Sequence, residues 1–203
     1  MNVKVIAALA AGLLSAAPAF SAPVVLDFEG TASYGSIADY YGGGPGPNYG
    51  VLFGGDALGL SNDIPEFPQF SHAPTPGTIM APVGADSALN MALGFAGTAS
   101  FFYSSAEAAT VSIYSGLNGT GDVLGTFQLL ANATTGCDDS PFCHWDQVSL
   151  DFGGIAQSIQ FGTGQGAGFD NVSVAPVPLP AAIWLLGSSL IGLGGVARRK
   201  LKA

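Results

Sequence analysis

The middle of the chain carries short apolar runs that are separated by glycine-rich turns. Residues 110–114 alternate polar and apolar side chains, which is the two-residue period of a strand with one buried face. The turn-forming segment 115–122 follows, and a further apolar run at 123–130 then predicts a β-hairpin. Similar runs occur at residues 24–28, 51–53, 89–95, 99–103, 147–152, 155–161 and 168–174.

These runs predict the fold class. No segment between residues 23 and 175 combines a helical apolar period with helix caps. Eight or nine short strands in about 150 residues are typical of an all-β, two-sheet β-sandwich, here jelly-roll-like. Two long loops, at 41–48 and 64–82, are the expected positions of a binding surface.

The N-terminal residues 1–22 have the pattern of a secretory signal peptide. Lys4 precedes a short apolar run, and small residues then offer a cleavage site. These small residues are Ala17, Ala19 and Ser21. The alternative is a buried amphipathic helix, which Pro18 disfavours because proline breaks a helix interior. The exported domain is therefore expected to span residues 23–175.

The C-terminal region, residues 176–203, contains a second apolar segment at 181–197. Its 17 uncharged residues would span ~25 Å as a helix, at the short end of the range that crosses a bilayer. Arg198, Arg199 and Lys200 follow directly, as in a stop-transfer sequence. The pattern predicts a transmembrane helix in the inner membrane, with its basic end in the cytoplasm and the body outside. A glycine-rich core helix of a soluble domain is the alternative.

Charge is distributed very unevenly along the chain. The formal net charge is −9, from 5 basic and 14 acidic residues. All the acids lie between Asp27 and Asp170, whereas every basic residue lies within a few positions of an end. The basic residues are Lys4, Arg198, Arg199, Lys200 and Lys202. A body without Lys or Arg excludes a nucleic-acid-binding function, since phosphates are recognised by these side chains.

The C-terminal region resembles the PEP-CTERM sorting domain of Gram-negative bacteria. The matching residues are Val177, Pro178, Leu179 and Pro180, the apolar segment after them, and Arg198, Arg199 and Lys200. The family's namesake motif has Glu between the prolines, where this chain has Leu179. The resemblance implies an exosortase-like processing enzyme as partner, an inner-membrane anchor before processing, and a cell-surface or extracellular location afterwards. A Gram-positive sortase signal is disfavoured because the Thr-Gly that sortase cuts is missing. An anchor that is never cleaved remains an alternative.

The body resembles the jelly-roll domains that precede such tails and, more distantly, carbohydrate-binding modules. The matching residues are 26–30 and 168–174. The resemblance places the first and last strands side by side and implies a structural calcium ion held by Asp27, Glu29 and Asp170. Close acids without a Lys or Arg repel one another, and a hard cation with oxygen ligands relieves that repulsion. The alternative is that all the acids are dispersed and solvated.

Cys137 and Cys143 are the two cysteines of the chain. In an exported protein, two cysteines this close in sequence predict a local disulfide, which contributes about 2 kcal/mol through loop-closure entropy. A redox or metal-binding pair is the alternative. A zinc site would need His144 and a fourth ligand.

The sequence carries no nucleophile or metalloprotease motif around His72 or His144. The leading hypothesis is a non-enzymatic exported surface or matrix protein, associated with exopolysaccharide or biofilm as the tail resemblance implies. The alternative is a glycan-binding module with a stacking platform of exposed aromatic residues. The candidates for that platform are Tyr34, Tyr40, Tyr41, Tyr49 and Trp145. A secreted hydrolase, which needs two facing carboxylates, is the third hypothesis.

Overall fold

Nine strands make up the regular structure of the chain. The computed structural model describes residues 22–62, 69–162 and 166–178. The strands are β1 (Val24–Leu26), β2 (Val51–Phe53), β3 (Ala57–Ser61), β4 (Thr78–Pro82), β5 (Leu89–Ser105), β6 (Ala109–Tyr114), β7 (Val123–Leu129), β8 (Asp146–Gln160) and β9 (Ala167–Pro176). No helix occurs within the described ranges, so the predicted all-β class is confirmed.

Two of the predicted segments lie outside the described residues. They are the signal peptide, of which residue 22 alone is described, and the transmembrane helix at 181–197. The sorting motif from Leu179 onward also lies outside. In the part of the chain that is described, no helix has the length and apolarity needed to cross a membrane. The strands all belong to one compact unit, Ala22–Val177.

The strands pair antiparallel in the order β3-β4-β9-β5-β8-β6-β7, while β1 pairs with β9 and β2 pairs with β5. The sequence predicts two separate sheets, but the strands form one hydrogen-bonded network. The reason is the length of β5, whose 17 residues pair with β2, β8 and β9. Register shifts between Asn90 and Gly97 mark bulges, which bend a strand. The network therefore curves around its core in a sandwich-like arrangement.

Several predicted strand breaks are bulges rather than turns. Residues 89–95 and 99–103 belong to the single strand β5, and β8 likewise joins two predicted strands. Gly94, Gly97 and Gly154 have φ angles of +81°, +88° and +87°. Glycine adopts such angles without the steric cost of a Cβ, so the strand continues across a local kink.

Two predicted pairings are confirmed. The hairpin is formed by β6 and β7, which pair from Ala109 opposite Leu129 to Tyr114 opposite Val123. The first and last strands also lie side by side, because β1 pairs with β9. This second pairing positions the acids of the predicted calcium site.

Aromatic side chains fill much of the main core. Phe28, Phe95, Phe101 and Phe169 are completely buried. The ring centroid of Phe101 lies 4.6 Å from that of Phe127 and 5.3 Å from that of Phe169. Each fully buried phenylalanine contributes about 1.5–3 kcal/mol to stability through removal of apolar area from water.

A second, smaller apolar cluster lies apart from the main core. It consists of Phe70, Ile79 and Ala81, with Phe142 and Trp145 packed against it. An isolated bridge joins the backbones of Phe70 and Phe142. The cluster therefore attaches the loop after β3 and the loop before β8 to β4.

Candidate functional site

The pairing of β1 with β9 brings three acids to one end of the sheet. Leu26, the last residue of β1, is paired with Val172. Asp27 and Glu29 follow β1 directly, and Asp170 lies two residues before Val172 on β9, so all three lie at the same end of this pairing. Glu29 is close enough to Asp170 for its charge to raise the pKa of the Asp170 carboxyl. The strand pairing and the loop that contains Thr75 therefore bring these acids to the same region of the fold.

Asp170 is completely buried and accepts hydrogen bonds on both carboxylate oxygens. Thr75 donates its backbone N–H to Oδ2 at 2.9 Å and its hydroxyl at 2.8 Å, while the Asn171 N–H donates to Oδ1 at 2.7 Å. Burial raises the pKa of Asp170 to about 6, and the charge of Glu29 adds to the rise. The hydrogen bonds from Thr75 and Asn171 oppose the rise. Asp170 therefore titrates well above the ordinary range of an aspartate.

Glu29 and Asp27 bind the same loop. Glu29 Oε1 accepts the backbone N–H of Thr78 at 3.2 Å, and the backbone carbonyl of Asp27 accepts the Thr75 hydroxyl at 3.5 Å. Gly77 lies between these two threonines with φ +117°, and a Cβ at this position would collide with Glu29 Oε2. The loop approaches the acids this closely because it has a glycine there.

The acids of the predicted calcium site all bond to the loop from Thr75 to Thr78, but their ligand atoms do not converge on one point. Within the described ranges, one group of three Asp, Glu, His or Cys side chains has all its ligand atoms within 4.8 Å of one another. That group is Cys137, Asp139 and Cys143, in the disulfide loop. The acids around the Thr75 loop are more widely spaced than this.

Tyr41 is a core residue, which corrects its assignment as a glycan contact. It is 1% exposed, and its hydroxyl accepts the Phe28 N–H at 2.6 Å and donates to Asp27 Oδ1 at 3.2 Å. Burial, reinforced by the charge of Asp27, holds the pKa of the Tyr41 hydroxyl well above its ordinary value. The prediction of a glycan contact is wrong here because the side chain is enclosed and its hydroxyl is already paired.

The other candidate aromatics do not form one platform. Tyr40 is half-buried and donates its hydroxyl to a backbone carbonyl at 2.7 Å. Tyr49 is 39% exposed and stacks on Tyr41, with 6.0 Å between ring centroids. Trp145 donates its indole N–H to a backbone carbonyl at 2.9 Å and lies 6.1 Å from the Phe70 ring. Tyr40 and Tyr49 both contact the ring of the buried Tyr41, with 5.0 Å between the Tyr40 and Tyr41 centroids, whereas Trp145 packs against the second apolar cluster.

An open groove beside β3 and β4 is lined mainly by apolar and aromatic side chains. Its volume is about 440 Å³. The lining residues are Tyr34, Leu58, Leu60, Gln69, Phe70, Ala81, Val83 and Phe142. Tyr34 is 64% exposed, so its ring is accessible to a ligand in the groove. Gln69 is a polar residue of the lining, and among the described residues the lining contains no carboxylate or imidazole.

The loop after β3 and the disulfide loop together build one wall of this groove. The Phe142 N–H donates to the Gln69 carbonyl at 3.1 Å, and the Ser71 N–H donates to the Phe142 carbonyl at 3.0 Å. The rings of Phe70 and Phe142 stack with their centroids 4.6 Å apart. Sequence reasoning misses both phenylalanines. The one signal that points to the groove is the long proline-rich loop at 64–82, which contains Phe70.

A second cavity, of about 320 Å³, lies at the turn between β5 and β6 and at the start of β9. Its lining residues are Ser105, Glu107, Ala108, Ala109, Thr110, Phe161, Gly162, Gly166 and Ala167. The Ser105 hydroxyl donates to the backbone carbonyl of Glu107 at 2.7 Å. Glu107 is the single carboxylate of this lining.

The predicted disulfide is confirmed. Cys137 and Cys143 are bonded, with their Cα atoms 6.1 Å apart. Inside the ring that they close, Asp139 accepts the Ser71 hydroxyl at 2.8 Å and lies 3.4 Å from His72 Nε2. The disulfide loop is therefore tied to the loop after β3 by side chains as well as by backbone hydrogen bonds.

No protein-family model matches the chain, and no curated protein is similar to it. Solved structures give weak likenesses. A family 6 carbohydrate-binding module whose binding sub-sites were dissected is 14% identical, with a TM-score of 0.43, over 75% of this chain and 93% of that chain. CsCBM6-3 from Clostridium stercorarium, in complex with cellobiose, is 15% identical with a TM-score of 0.41, over 76% and 94% of the two chains.

The C-terminal CBM6 of LamC from Zobellia galactanivorans is 14% identical with a TM-score of 0.42, over 76% of this chain and 99% of that chain. All three TM-scores are below 0.5.

Proposed function

We propose that the body is a non-enzymatic glycan-binding module of an exported protein, with the groove beside β3 and β4 as its binding site. The observation that carries this proposal is the exposed Tyr34 ring in a groove walled by Phe70 and Phe142. Sugar rings present apolar C–H faces that pack on aromatic rings, and hydroxyls that pair with amides such as that of Gln69. The volume of about 440 Å³ is in the range of small-ligand pockets.

The residues of the groove favour binding over hydrolysis. Glycoside hydrolysis by the usual route needs two carboxylates that flank the scissile bond. Among the residues that the structure describes, the groove lining holds no carboxylate and the second cavity holds Glu107 alone. The groove can therefore contact a glycan but supplies no acid–base pair to cleave it.

The charge of the body favours uncharged glycans. It has no Lys or Arg, and all 14 acids of the chain lie between Asp27 and Asp170. A polymer of uronic acids would meet a surface of its own sign, with no cation to pair its carboxylates. We therefore expect neutral polysaccharides to bind and polyuronates to be repelled.

Affinity electrophoresis tests this proposal. The protein is run in native gels that contain a panel of neutral polysaccharides or a polyuronate, with EDTA present throughout. Retarded migration with at least one neutral polysaccharide and normal migration with the polyuronate is the expected result. Normal migration with every neutral polymer, or retardation by the polyuronate alone, would contradict it.

We also propose that the chain ends direct the body out of the cell, with residues 1–22 as the signal peptide and 176–203 as an exosortase-processed sorting signal. The supporting observation is that every Lys and Arg lies in these two segments. Cleavage near residues 178–180 would place an entirely acidic body in an exopolysaccharide-rich matrix at the cell surface or outside the cell.

Intact mass spectrometry with mapped termini tests this route. Material recovered outside the cell should lack Lys4 as well as Arg198 and Lys202. Recovery of only the full-length chain, from cells that have the processing enzyme, is the contrary outcome.

We further propose that Asp27, Glu29 and Asp170 draw together around one structural calcium ion, because in the structure described their ligand oxygens do not all lie within 4.8 Å of one another. The donors are oxygen atoms, which a hard cation prefers, and Glu29 and Asp170 are close without any Lys or Arg to neutralise them. A buried carboxylate whose pKa is raised gains stability from a bound cation. The ion would stabilise the loop that contains Thr75, whose hydroxyl bonds to Asp27 after β1 and to Asp170 on β9.

A further inference from the structure

The disulfide loop places two sulfur atoms, a carboxylate and an imidazole in one small region. The Sγ atoms of Cys137 and Cys143 and a carboxylate oxygen of Asp139 all lie within 4.8 Å of one another. His72 Nε2 lies 3.4 Å from Asp139 Oδ2. Two sulfurs, one nitrogen and one oxygen form a donor set that suits a tetrahedral zinc ion when the sulfurs are thiolates.

The fold, rather than local sequence, delivers the imidazole to this region. Ser71, the neighbour of His72, bonds through its hydroxyl to Asp139, which is 68 positions away. The Ser71 N–H donates to the Phe142 carbonyl, and the Ser71 carbonyl accepts the Trp145 indole N–H. These bonds attach the backbone next to His72 to the disulfide loop and to Trp145.

The other histidine near the ring is engaged elsewhere. His144 follows Cys143 directly, but its Nε2 lies 3.1 Å from Asp146 Oδ1. The sequence names His144 as the imidazole that a zinc site at these cysteines would need. The tertiary structure places His72 beside Asp139 instead, which makes the two histidines a matched pair for testing.

We infer that the chain in its dithiol form binds one zinc ion through Cys137, Cys143, Asp139 and His72. The disulfide first takes up two electrons from a thiol or phosphine reductant and two protons from water, which gives two thiols. The zinc ion then displaces both thiol protons, because the thiolate is the ligand. Intact disulfide sulfurs carry no such charge, so the disulfide and the zinc ion exclude each other.

The nitrogen and oxygen donors of this region are accessible to a metal ion from solvent, whereas Cys143 is buried. The side chains of His72 and Asp139 are 62% and 46% exposed. The surrounding body carries no Lys or Arg, so its field attracts cations. None of these residues lines the groove beside β3 and β4, and the zinc proposal therefore stands independently of the glycan proposal.

Equilibrium dialysis of the full-length chain in detergent against zinc tests this inference, with and without a phosphine reductant. We expect one zinc ion per reduced chain and none per oxidised chain. His72→Gln and Asp139→Asn should each weaken binding at least ~10-fold, since even the loss of an outer partner of a metal site costs that much. His144→Gln is the matched control and should bind zinc like the parent chain.

Cobalt substitution gives a second readout, since a four-coordinate thiolate site produces intense visible bands. If reduction unfolds the chain, zinc should restore its native circular dichroism spectrum, because zinc binding and folding are then coupled. Equal zinc binding by oxidised and reduced chains would overturn the inference. So would unchanged affinity in both His72→Gln and Asp139→Asn, or neither zinc uptake nor refolding after reduction.

Discussion

At the residue scale, Asp170 gives the most direct link between burial and pH. Its pKa is about 6 in the folded chain and about 3.9 when unfolded, so the folded chain binds more protons between these values. The free energy of unfolding should therefore decrease as pH rises from about 4 to about 6 and level off above that. A difference of one pKa unit corresponds to about 1.36 kcal/mol, so the free energy of unfolding should fall by up to about 3 kcal/mol over this pH range.

Urea unfolding of the parent chain and of Asp170→Asn, in EDTA, measures this contribution. The other acids titrate in both proteins, so the difference between the two pH profiles isolates Asp170. The parent should lose stability relative to the variant as pH rises through the window. Parallel profiles would show that the Asp170 carboxyl titrates normally.

Bound calcium should offset the loss of stability that ionisation of the buried Asp170 causes. At pH 7.5, calcium at a hundredfold excess over Kd should stabilise the fold by about 2.7 kcal/mol and raise Tm by several degrees. The gain should be smaller at pH 5, where Asp170 is largely protonated and binds a cation poorly. Thermal unfolding followed by circular dichroism, in calcium or EDTA, measures it.

Variants identify the ligands of that ion. Glu29→Gln and Asp170→Asn should lose the calcium-dependent rise in Tm. Asp56→Ala is the control, because Asp56 accepts the Asp86 N–H elsewhere in the body and should leave the rise intact. Identical melting curves in calcium and EDTA for the parent chain would exclude the site.

At the element scale, the loop from Thr75 to Thr78 depends on Gly77. Gly77→Ala would force an alanine to φ +117° and displace the Glu29 carboxylate from the loop, so it should destabilise the fold by about 1–3 kcal/mol, mainly through the backbone strain. Gly136→Ala is the matched control, since Gly136 also has positive φ, +75°, but has no atom within 4 Å of an added Cβ. Urea unfolding should show the larger loss for Gly77→Ala, and equal losses would contradict the predicted collision.

The strands themselves show what local pattern can and cannot predict. The alternation at 110–114 identifies β6 because one face of that strand is buried and the other is partly exposed. Glycines such as Gly94 resemble turn residues in the sequence, yet they form bulges inside β5. Whether a glycine ends a strand or kinks it depends on partners across the sheet, which a single sequence does not reveal.

The same limit applies to the sites. The placement of Asp27 and Asp170 at the same end of neighbouring strands follows from the pairing of the first and last strands. Thr75, which supplies the hydrogen bonds to Asp170, lies in a loop whose position depends on tertiary packing. The stacking of Phe70 on Phe142 likewise joins distant loops and leaves no periodic signal in the sequence.

At the scale of the whole molecule, an acidic all-β body presents an open groove whose described lining is mainly apolar and aromatic and contains no carboxylate. The disulfide loop supports a wall of that groove through Phe142, while Tyr34 reaches it from the chain before β2. The negative charge of the body and the aromatic lining of the groove together favour a binding surface for neutral glycans.

Isothermal titration calorimetry tests this central claim most directly. The titrant is an oligosaccharide of the neutral polysaccharide that retards the protein most in affinity gels. We predict that Tyr34→Ala binds it about 10-fold more weakly, since loss of an aromatic stacking contact costs up to about 1.5 kcal/mol. Tyr49→Ala, which removes an exposed tyrosine outside the groove, should bind like the parent chain. Unchanged affinity in Tyr34→Ala would contradict the assignment of the groove, whatever Tyr49→Ala does.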